Sequence, residues 1–400
     1  MKYLVLVPDG MAGLPLEELS GRTCLESALK PNMDMIALKG VVGTVKNIPK
    51  GMTPASDVAN LSILGYDPAK YYCGRGPLEA ANLGVSLAEK DVAFRFNTVT
   101  VSGGRMADYS AGHISTGEVS VITDVLNREF ANERYSFYPG TSYRNLLVVH
   151  CDSLDEAKKL SKVKCSAPHD ILDQEIAKHL PANEELVSIM ERSRELLADS
   201  DINKVRVDLG QNPADMIWLW GQGLKPDMPS FKDAYGLTGG IISAVDLLKG
   251  TGRLLGLETP LVSGATGYYD TNYEAKADAA LDMLSKYDLA FVHVEAPDEA
   301  GHNGDIRAKI QAIENFDSKI IKRILDRLTG RVDYRVLLLP DHPTPIKLRT
   351  HTSDPVPFAM AGKGIEPDDV TIFTEASAGA GSMKVDKGYT LMEMLVKGIK

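Results

Sequence analysis

Basic charge is the first thing this chain lacks. Its 400 residues carry 44 Lys and Arg against 54 Asp and Glu, a formal net charge of −10, with no Lys/Arg run of useful length. A polyanion binder needs a basic face to displace counterions, so nucleic acid is not an expected partner. Cysteine is scarce as well. Cys24, Cys73, Cys151 and Cys165 lie far apart with no C-x-x-C pairing, which argues against a cysteine zinc site and fits reduced thiols better than a disulfide framework. Long apolar runs are also missing. The run over 2–7 is broken by Pro8 and Asp9, too short for a secretory signal or a membrane span, so a cytoplasmic protein without a membrane partner is expected. Finally, no phosphate-binding loop is present: Gly74-Arg75-Gly76 lacks the G-x-x-x-x-G-K-[ST] frame, and the Gly-rich segment 376–382 reads as a mobile loop with no Lys-Ser/Thr after it.

What remains is the composition of a soluble globular chain, 44% hydrophobic and 24% charged, long enough for one large core or two domains. Short apolar runs followed by helical spacing predict a mostly parallel sheet flanked by helices, an α/β architecture. Strands are expected over 2–7, 288–294 and 334–339, and helices over 274–284 and 306–328. Each of the three strands runs into polar residues: Pro8-Asp9-Gly10, Glu295-Ala296-Pro297-Asp298, and Pro340-Asp341-His342. In open α/β sheets ligands bind beyond the carboxyl ends of the strands, so one sheet edge would collect these groups. The segment 87–181 reads differently, as alternating strands mixed with helices over 116–128 and 154–160. It is expected to be an inserted α+β module within a discontinuous α/β domain of 1–86 and 182–400, core-type strands resuming at the MIWLW run, 216–220. Trp218 and Trp220 in that run read as core or domain-joint packing.

Histidine is more telling than its abundance suggests. Only eight occur, yet His293, His302, His342 and His351 fall within 59 positions. Asp298 and His302, four apart on a helix, would present a carboxylate and an imidazole on one face, as a divalent metal requires. Spacing alone leaves two readings open, because the same pair also describes a helix-capping Asp with an exposed His. Adding Asp341, His342, His351 and Asp9 gives donors for two metals, and mixed carboxylate and imidazole donors favour Mn²⁺, Zn²⁺ or Co²⁺ over an all-oxygen Mg²⁺ or Ca²⁺ site. Paired metals ~3.5–4 Å apart are typical of phosphoryl chemistry. A helix start is expected with Thr53 as N-cap, Pro54 first and a stop at Gly65. Ser56 is then either an ordinary first-turn residue or, at the positive helix end beside a metal, a nucleophile for phosphorus.

Several segments carry a family resemblance that runs from the first strand to near the C-terminus. They are Val7-Pro8-Asp9-Gly10-Met11, Thr53-Pro54-Ala55-Ser56-Asp57, Gly74 to Ala80, Asp108 to His113, Gly264-Ala265-Thr266-Gly267, His293 to Asp305, and Asp341-His342. The chain resembles the archaeal-type cofactor-independent (2,3-bisphosphoglycerate-independent) phosphoglycerate mutases of the alkaline phosphatase superfamily. The resemblance implies a phosphorylated Ser56, one metal on Asp298, His302 and His351, and another on Asp9, Ser56, Asp341 and His342. It also implies Mn²⁺ first, then Zn²⁺, Co²⁺ or Mg²⁺, with no 2,3-bisphosphoglycerate requirement. As substrate contacts it picks out Arg75, His113, Arg144, His169, Asp170 and Lys276. The inserted module would hold glycerate and exclude water. A homoserine kinase-like phosphotransferase of the same family and a noncatalytic metal-binding protein remain alternatives, and a homo-oligomer stays open.

Overall fold

The computed structural model describes residues 1–130, 133–381 and 383–399. Among them are twelve strands: β1 (Lys2–Pro8), β2 (Gly40–Val45), β3 (Asp91–Ser102), β4 (Arg105–Asp108), β5 (Tyr135–Thr141), β6 (Arg144–His150), β7 (Met216–Leu224), β8 (Gly239–Ile242), β9 (Leu289–Val294), β10 (Tyr334–Leu338), β11 (Val356–Gly362) and β12 (Met383–Val385). The chain divides into two compact units, Met1–Tyr72 with Met228–Lys400, and Cys73–Asp227.

The first unit is built on a seven-stranded sheet in the order β12-β2-β11-β10-β1-β9-β8. Its centre is parallel: β1 pairs with β10 on one side and β9 on the other, and β9 with β8, whereas β11 runs antiparallel to β10 and β2. The central strands read as continuous apolar runs because both faces are covered. Leu4 and Leu6 of β1, Val292 of β9 and Val336 and Leu338 of β10 enter one core layer. Val5 and Val7, Phe291, and Leu337 and Leu339 enter the other, as a two-residue side-chain period requires. Ala277, Ala280 and Leu284 of the Tyr273–Lys286 helix complete the first layer, and Leu61 and Ile63 of the Ser56–Ile63 helix the second. The helix expected over 306–328 is interrupted by a π-helical turn, Phe316–Ile321, between Ile306–Asn315 and Lys322–Leu328. Within that turn, buried Asp317 accepts from the Met33 backbone N–H at 2.7 Å, capping the start of the Pro31–Leu38 helix.

The second unit is a five-stranded antiparallel sheet. Twelve-residue β3 is its spine, pairing with β4, β6 and β7, and β5 joins β6. Here the expected domain limits of 87–181 differ from what is found. The run MIWLW does not resume the first sheet; it is β7, antiparallel to β3, with Trp218 opposite Asn97. Its unbroken apolar character comes from full burial, which in sequence is indistinguishable from a parallel-sheet strand. At the other end, the Arg75–Leu83 helix packs on the same sheet. A Cβ at Gly76 would sit 2.2 Å from the Ala93 carbonyl oxygen, so only glycine allows that approach.

The loop expected over 376–382 is also different. Glu375–Ala380 is a helix, opened by Thr374, whose side chain accepts from the Ser377 N–H in a reciprocal cap; Ser382 lies outside the described residues. The four cysteines form no disulfide among the described residues, and no helix among them is long and apolar enough to cross a membrane.

Candidate active site

Parallel pairing brings three strand ends to one edge. Val7 lies opposite His293, Leu6 opposite Leu338, and the Asp9 N–H continues the ladder by donating to the Val294 carbonyl at 2.9 Å. Asp9, His293, Asp341 and His342 therefore meet at the carboxyl edge, all fully or almost fully buried. Gly10 turns the chain away with φ +60°, and a Cβ there would lie 2.4 Å from an Asp298 oxygen. Glycine is required on both counts.

Asp341 is held from three directions. Its Oδ1 accepts from the backbone N–H of Gly10 at 3.1 Å and of His342 at 2.9 Å, and its Oδ2 from Asn60 Nδ2 at 2.9 Å. Asn60 also donates to the Ser56 carbonyl, so it locks the Ser56–Ile63 helix to the strand end. Asp9 is the opposite case. Neither of its buried oxygens accepts a hydrogen bond among the described residues, although Oδ2 lies 3.0 Å from His293 Nε2 and Oδ1 3.5 Å from His342 Nε2. Burial, then the Asp341 and Asp298 carboxylates, push its carboxyl well above the usual range. Burial likewise pushes the His293 imidazole down to about 4.

The second group forms around Asp298, on the Ala296–Asn303 helix. Its Oδ2 is 3.1 Å from His302 Nε2, its Oδ1 is 3.4 Å from His351 Nε2, and Thr344 Oγ1 donates to Oδ1. Burial opposes its charge, yet its bonds to His302 and His351 hold its carboxyl well below the ordinary range. The Asp298 bond in turn lifts His302 to about 9. The histidine tautomers matter most. His302 Nδ1 faces the Arg349 carbonyl at 3.0 Å and His351 Nδ1 the Pro54 carbonyl at 3.3 Å. A carbonyl only accepts, so each Nδ1 carries a hydrogen, and the two Nε2 atoms face one another at 2.9 Å with Asp298 beside both. Two ring nitrogens this close need a proton or a metal cation between them. The donor chemistry thus suits divalent ions: Asp298, His342 and His351 offer atoms within 4.8 Å of one another, and so do Asp9, His293 and Asp341.

Ser56 lies beside these groups. The helix starts two residues later than the sequence predicts, because Ala55 is extended and its carbonyl accepts the first helical bond, from Ala59, at 3.0 Å. Ser56 is thereby the first helical residue, with its Oγ 3.1 Å from His342 Nε2. His342 Nδ1 faces Thr344 Oγ1 at 3.3 Å; that hydroxyl spends its own hydrogen on Asp298, so it accepts from Nδ1–H and leaves the Nε2 lone pair toward Ser56.

A different surface forms in the second unit. Arg75 and Arg95 hold their guanidinium carbons 5.2 and 5.0 Å from the Trp220 ring centre, and Arg144 lies 5.3 Å from that of Tyr143. His169 meets Trp220 edge-on at 5.2 Å, and His113 meets Tyr143 at 5.8 Å. Arg75, His113, Arg144 and His169 are thus carried on one network of rings. Asp170 is exposed, 3.8 Å from His169 Nε2. Lys276 is elsewhere. It is fully buried in the first unit, its Nζ donating to the His293 carbonyl at 3.4 Å, and burial pushes its ammonium down to about 8.

The family described as 2,3-bisphosphoglycerate-independent phosphoglycerate mutase matches residues 37–203. A protein of that name from Methanothrix thermoacetophila is 51% identical over all of both chains, and one from Methanosarcina acetivorans is 50% identical over 99% of this chain and all of that one. The chain belongs to this family. A solved structure from Pyrococcus horikoshii, 30% identical, matches with a TM-score of 0.83 over 99% of this chain and 96% of that one. The cofactor-independent phosphoglycerate mutase of Thermoplasma acidophilum, 29% identical, matches with a TM-score of 0.67 over 99% of both.

Three residues of this buried edge have no site assignment from sequence alone. Thr344 links Asp298 to His342, and Lys309 donates to the carbonyls of Gly10 at 2.8 Å and Thr344 at 2.6 Å, pinning the two loops that carry Asp9 and His342. His293 adjoins Asp9. The signal for His293 was available, since an imidazole inside an otherwise apolar strand has to find a partner; Lys309 and Thr344 look like ordinary helix and turn residues in sequence.

Proposed function

We propose that the chain interconverts 3-phosphoglycerate and 2-phosphoglycerate through a phosphoserine at Ser56, in cytoplasmic glycolysis and gluconeogenesis, without 2,3-bisphosphoglycerate. The observation that carries this is the Ser56 hydroxyl at the first position of its helix, 3.1 Å from His342 Nε2, beside the paired Nε2 atoms of His302 and His351 and a buried Asp9 carboxyl group that accepts no hydrogen bond among the described residues. The names of the full-length relatives support the same substrate. Asp298, His302 and His351 would hold one ion, and Asp9, Ser56, Asp341 and His342 the other. When bound, divalent ions acidify the serine hydroxyl and neutralise phosphoryl oxygens; the mixed N/O donors suit Mn²⁺, Zn²⁺ or Co²⁺ better than Mg²⁺, and the family resemblance puts Mn²⁺ first.

In the first transfer the Ser56 Oγ–P bond forms as the bond from P to glycerate O3 breaks, and the hydrogen leaving Ser56 balances the one O3 acquires. In the second, glycerate O2 attacks phosphoserine, the Oγ–P bond breaks and the hydrogens return in reverse. Asn60 and the backbone N–H groups of Gly10 and His342 keep Asp341 and Ser56 in register through both steps. Arg75, Arg144, His113 and His169, with Asp170 beside His169, would supply cationic and hydrogen-bonding groups for the anionic substrate, and Lys276, buried in the first unit against the His293 carbonyl, is proposed as a further contact from its own place.

The test is to incubate the chain with Mn²⁺ and 3-phosphoglycerate, follow 2-phosphoglycerate, and seek the added phosphate by mass spectrometry. Label at Ser56, and loss of both label and turnover in Ser56→Ala, is the expected result. Full turnover in Ser56→Ala, or ATP-dependent homoserine phosphorylation in place of isomerisation, would overturn it.

A further inference from the structure

His293 is the polar residue at the strand edge for which the proposed reaction has no task. It is fully buried at the end of β9, and its Nε2 has no hydrogen-bond partner among the described residues. An orphaned nitrogen in a dry interior is costly, so it should answer to something. Asp9 Oδ2 lies only 3.0 Å away, yet the pair lacks the alignment that a ring N–H donor needs, and that oxygen accepts no hydrogen bond either. Two donors close together but not bonded to each other is the pattern left by two ligands of one ion. Metal–donor distances of about 2.0–2.2 Å put adjacent donors roughly 3 Å apart. Asp341 supplies a third atom within the same 4.8 Å span.

We infer that His293 Nε2 is a ligand of the ion proposed on Asp9 and Asp341, an inference that rests on the two-metal reading above and adds an imidazole to that site. The other ring nitrogen fixes the form of the ring. His293 Nδ1 lies 3.3 Å from Ser243 Oγ, which also accepts from the Val245 N–H at 3.0 Å. With Nδ1–H donated to Ser243, the Nε2 lone pair turns toward Asp9, so Ser243 is a positioning residue that acts through the ring. Lys276 holds the same residue from its carbonyl side. The consequence is selectivity: an added imidazole strengthens the hold on Mn²⁺, Zn²⁺ or Co²⁺ far more than on Mg²⁺, which prefers oxygen.

Calorimetric titration of the full chain with Mn²⁺ and, separately, Mg²⁺ tests this, with the bound metal counted by elemental analysis. Wild type should bind two Mn²⁺. His293→Leu, close in volume and without a donor, should weaken one of them ~10–100-fold while leaving Mg²⁺ binding within about twofold. Ser243→Ala should weaken the same Mn²⁺ several-fold, and it decides the matter if His293→Leu does not fold by circular dichroism. Two Mn²⁺ bound with wild-type affinity in His293→Leu, or in Ser243→Ala where that variant decides, would overturn the inference and leave the two-metal reading standing. A wild-type chain that binds no divalent ion would overturn both.

Discussion

The two units treat charge in opposite ways. At the strand edge of the first, Asp9, His293 and His342 are wholly buried, and several of their polar atoms face one another without a hydrogen bond. In the second, the arginines lie on ring faces, and Arg95 also pairs with Glu79 at 3.4 Å, both side chains buried. The first arrangement is incomplete as protein chemistry and asks for ions. The second spreads its cations over ring faces and leaves the buried Nε atoms of Arg95 and Arg144 without hydrogen-bond partners among the described residues, so it asks for an anion. Both tryptophans, Trp218 and Trp220, belong to the second unit, so selectively excited tryptophan emission arises from that unit.

Chelation should break the symmetry most strongly. Exhaustive removal of divalent ions is expected to lower turnover at least about 10³-fold, the scale on which losing a group that stabilises transition-state charge acts. Hydrogen exchange should then quicken at the ends of β1, β9 and β10, while the tryptophan emission and its urea midpoint stay put. Full activity after chelation would remove the basis for the contrast.

Arginine substitutions sharpen the comparison within the second unit. Arg95→Met should cost about 3–5 kcal/mol of stability, read as a drop in the fluorescence urea midpoint, because it strands buried Glu79. Burial already holds the Arg95 guanidinium down at about 10, with Glu79 the opposing influence. Arg144→Met is a different case. Its Nε is buried with no hydrogen-bond partner among the described residues, as suits a group reserved for a ligand. A lost charge-assisted bond of roughly 1.5–3 kcal/mol should raise KM by about 10- to 100-fold, with the urea midpoint nearly unchanged. A collapse of stability instead would make Arg144 structural.

How much of this was legible in the sequence depends on whether the signal was local. Apolar runs ending in Asp9, Asp298 and Asp341-His342 predicted both the sheet and the edge at which these residues meet, because strand burial and the polar residues after it are written in adjacent positions. The MIWLW run misled, since β7 is buried by the second unit's core, and burial does not say which sheet a strand joins. The start of the Ser56 helix slipped by two residues because the Pro54 carbonyl accepts from His351, a partner 297 residues away. Thr344 and Lys309 act through backbone carbonyls and a single hydroxyl bond, and no residue pattern announces that.

The smallest expected effect concerns acid, and it falls on the second unit. Arg134 donates to both Glu156 and Glu185, and the Tyr135 hydroxyl also donates to Glu185. The Arg134 bonds, followed by the opposing influence of burial and then the Tyr135 bond, hold the Glu185 carboxyl below its ordinary range. A carboxylate whose folded value is depressed binds its proton less readily than in the unfolded chain. Its contribution is therefore fully present above the unfolded value of about 4.3, and is lost as pH falls through the folded value. The group is partly exposed, so after solvent screening the contribution is less than about 1 kcal/mol. Glu185→Gln should lower the tryptophan-reported urea midpoint slightly at pH 7, and the gap to wild type should close as pH is taken below about 4.3. The first unit's buried carboxylates share no unit with a tryptophan, so the tryptophan-reported midpoint follows the second unit. A gap that widens toward acid would show that Glu185 gains no support from Arg134.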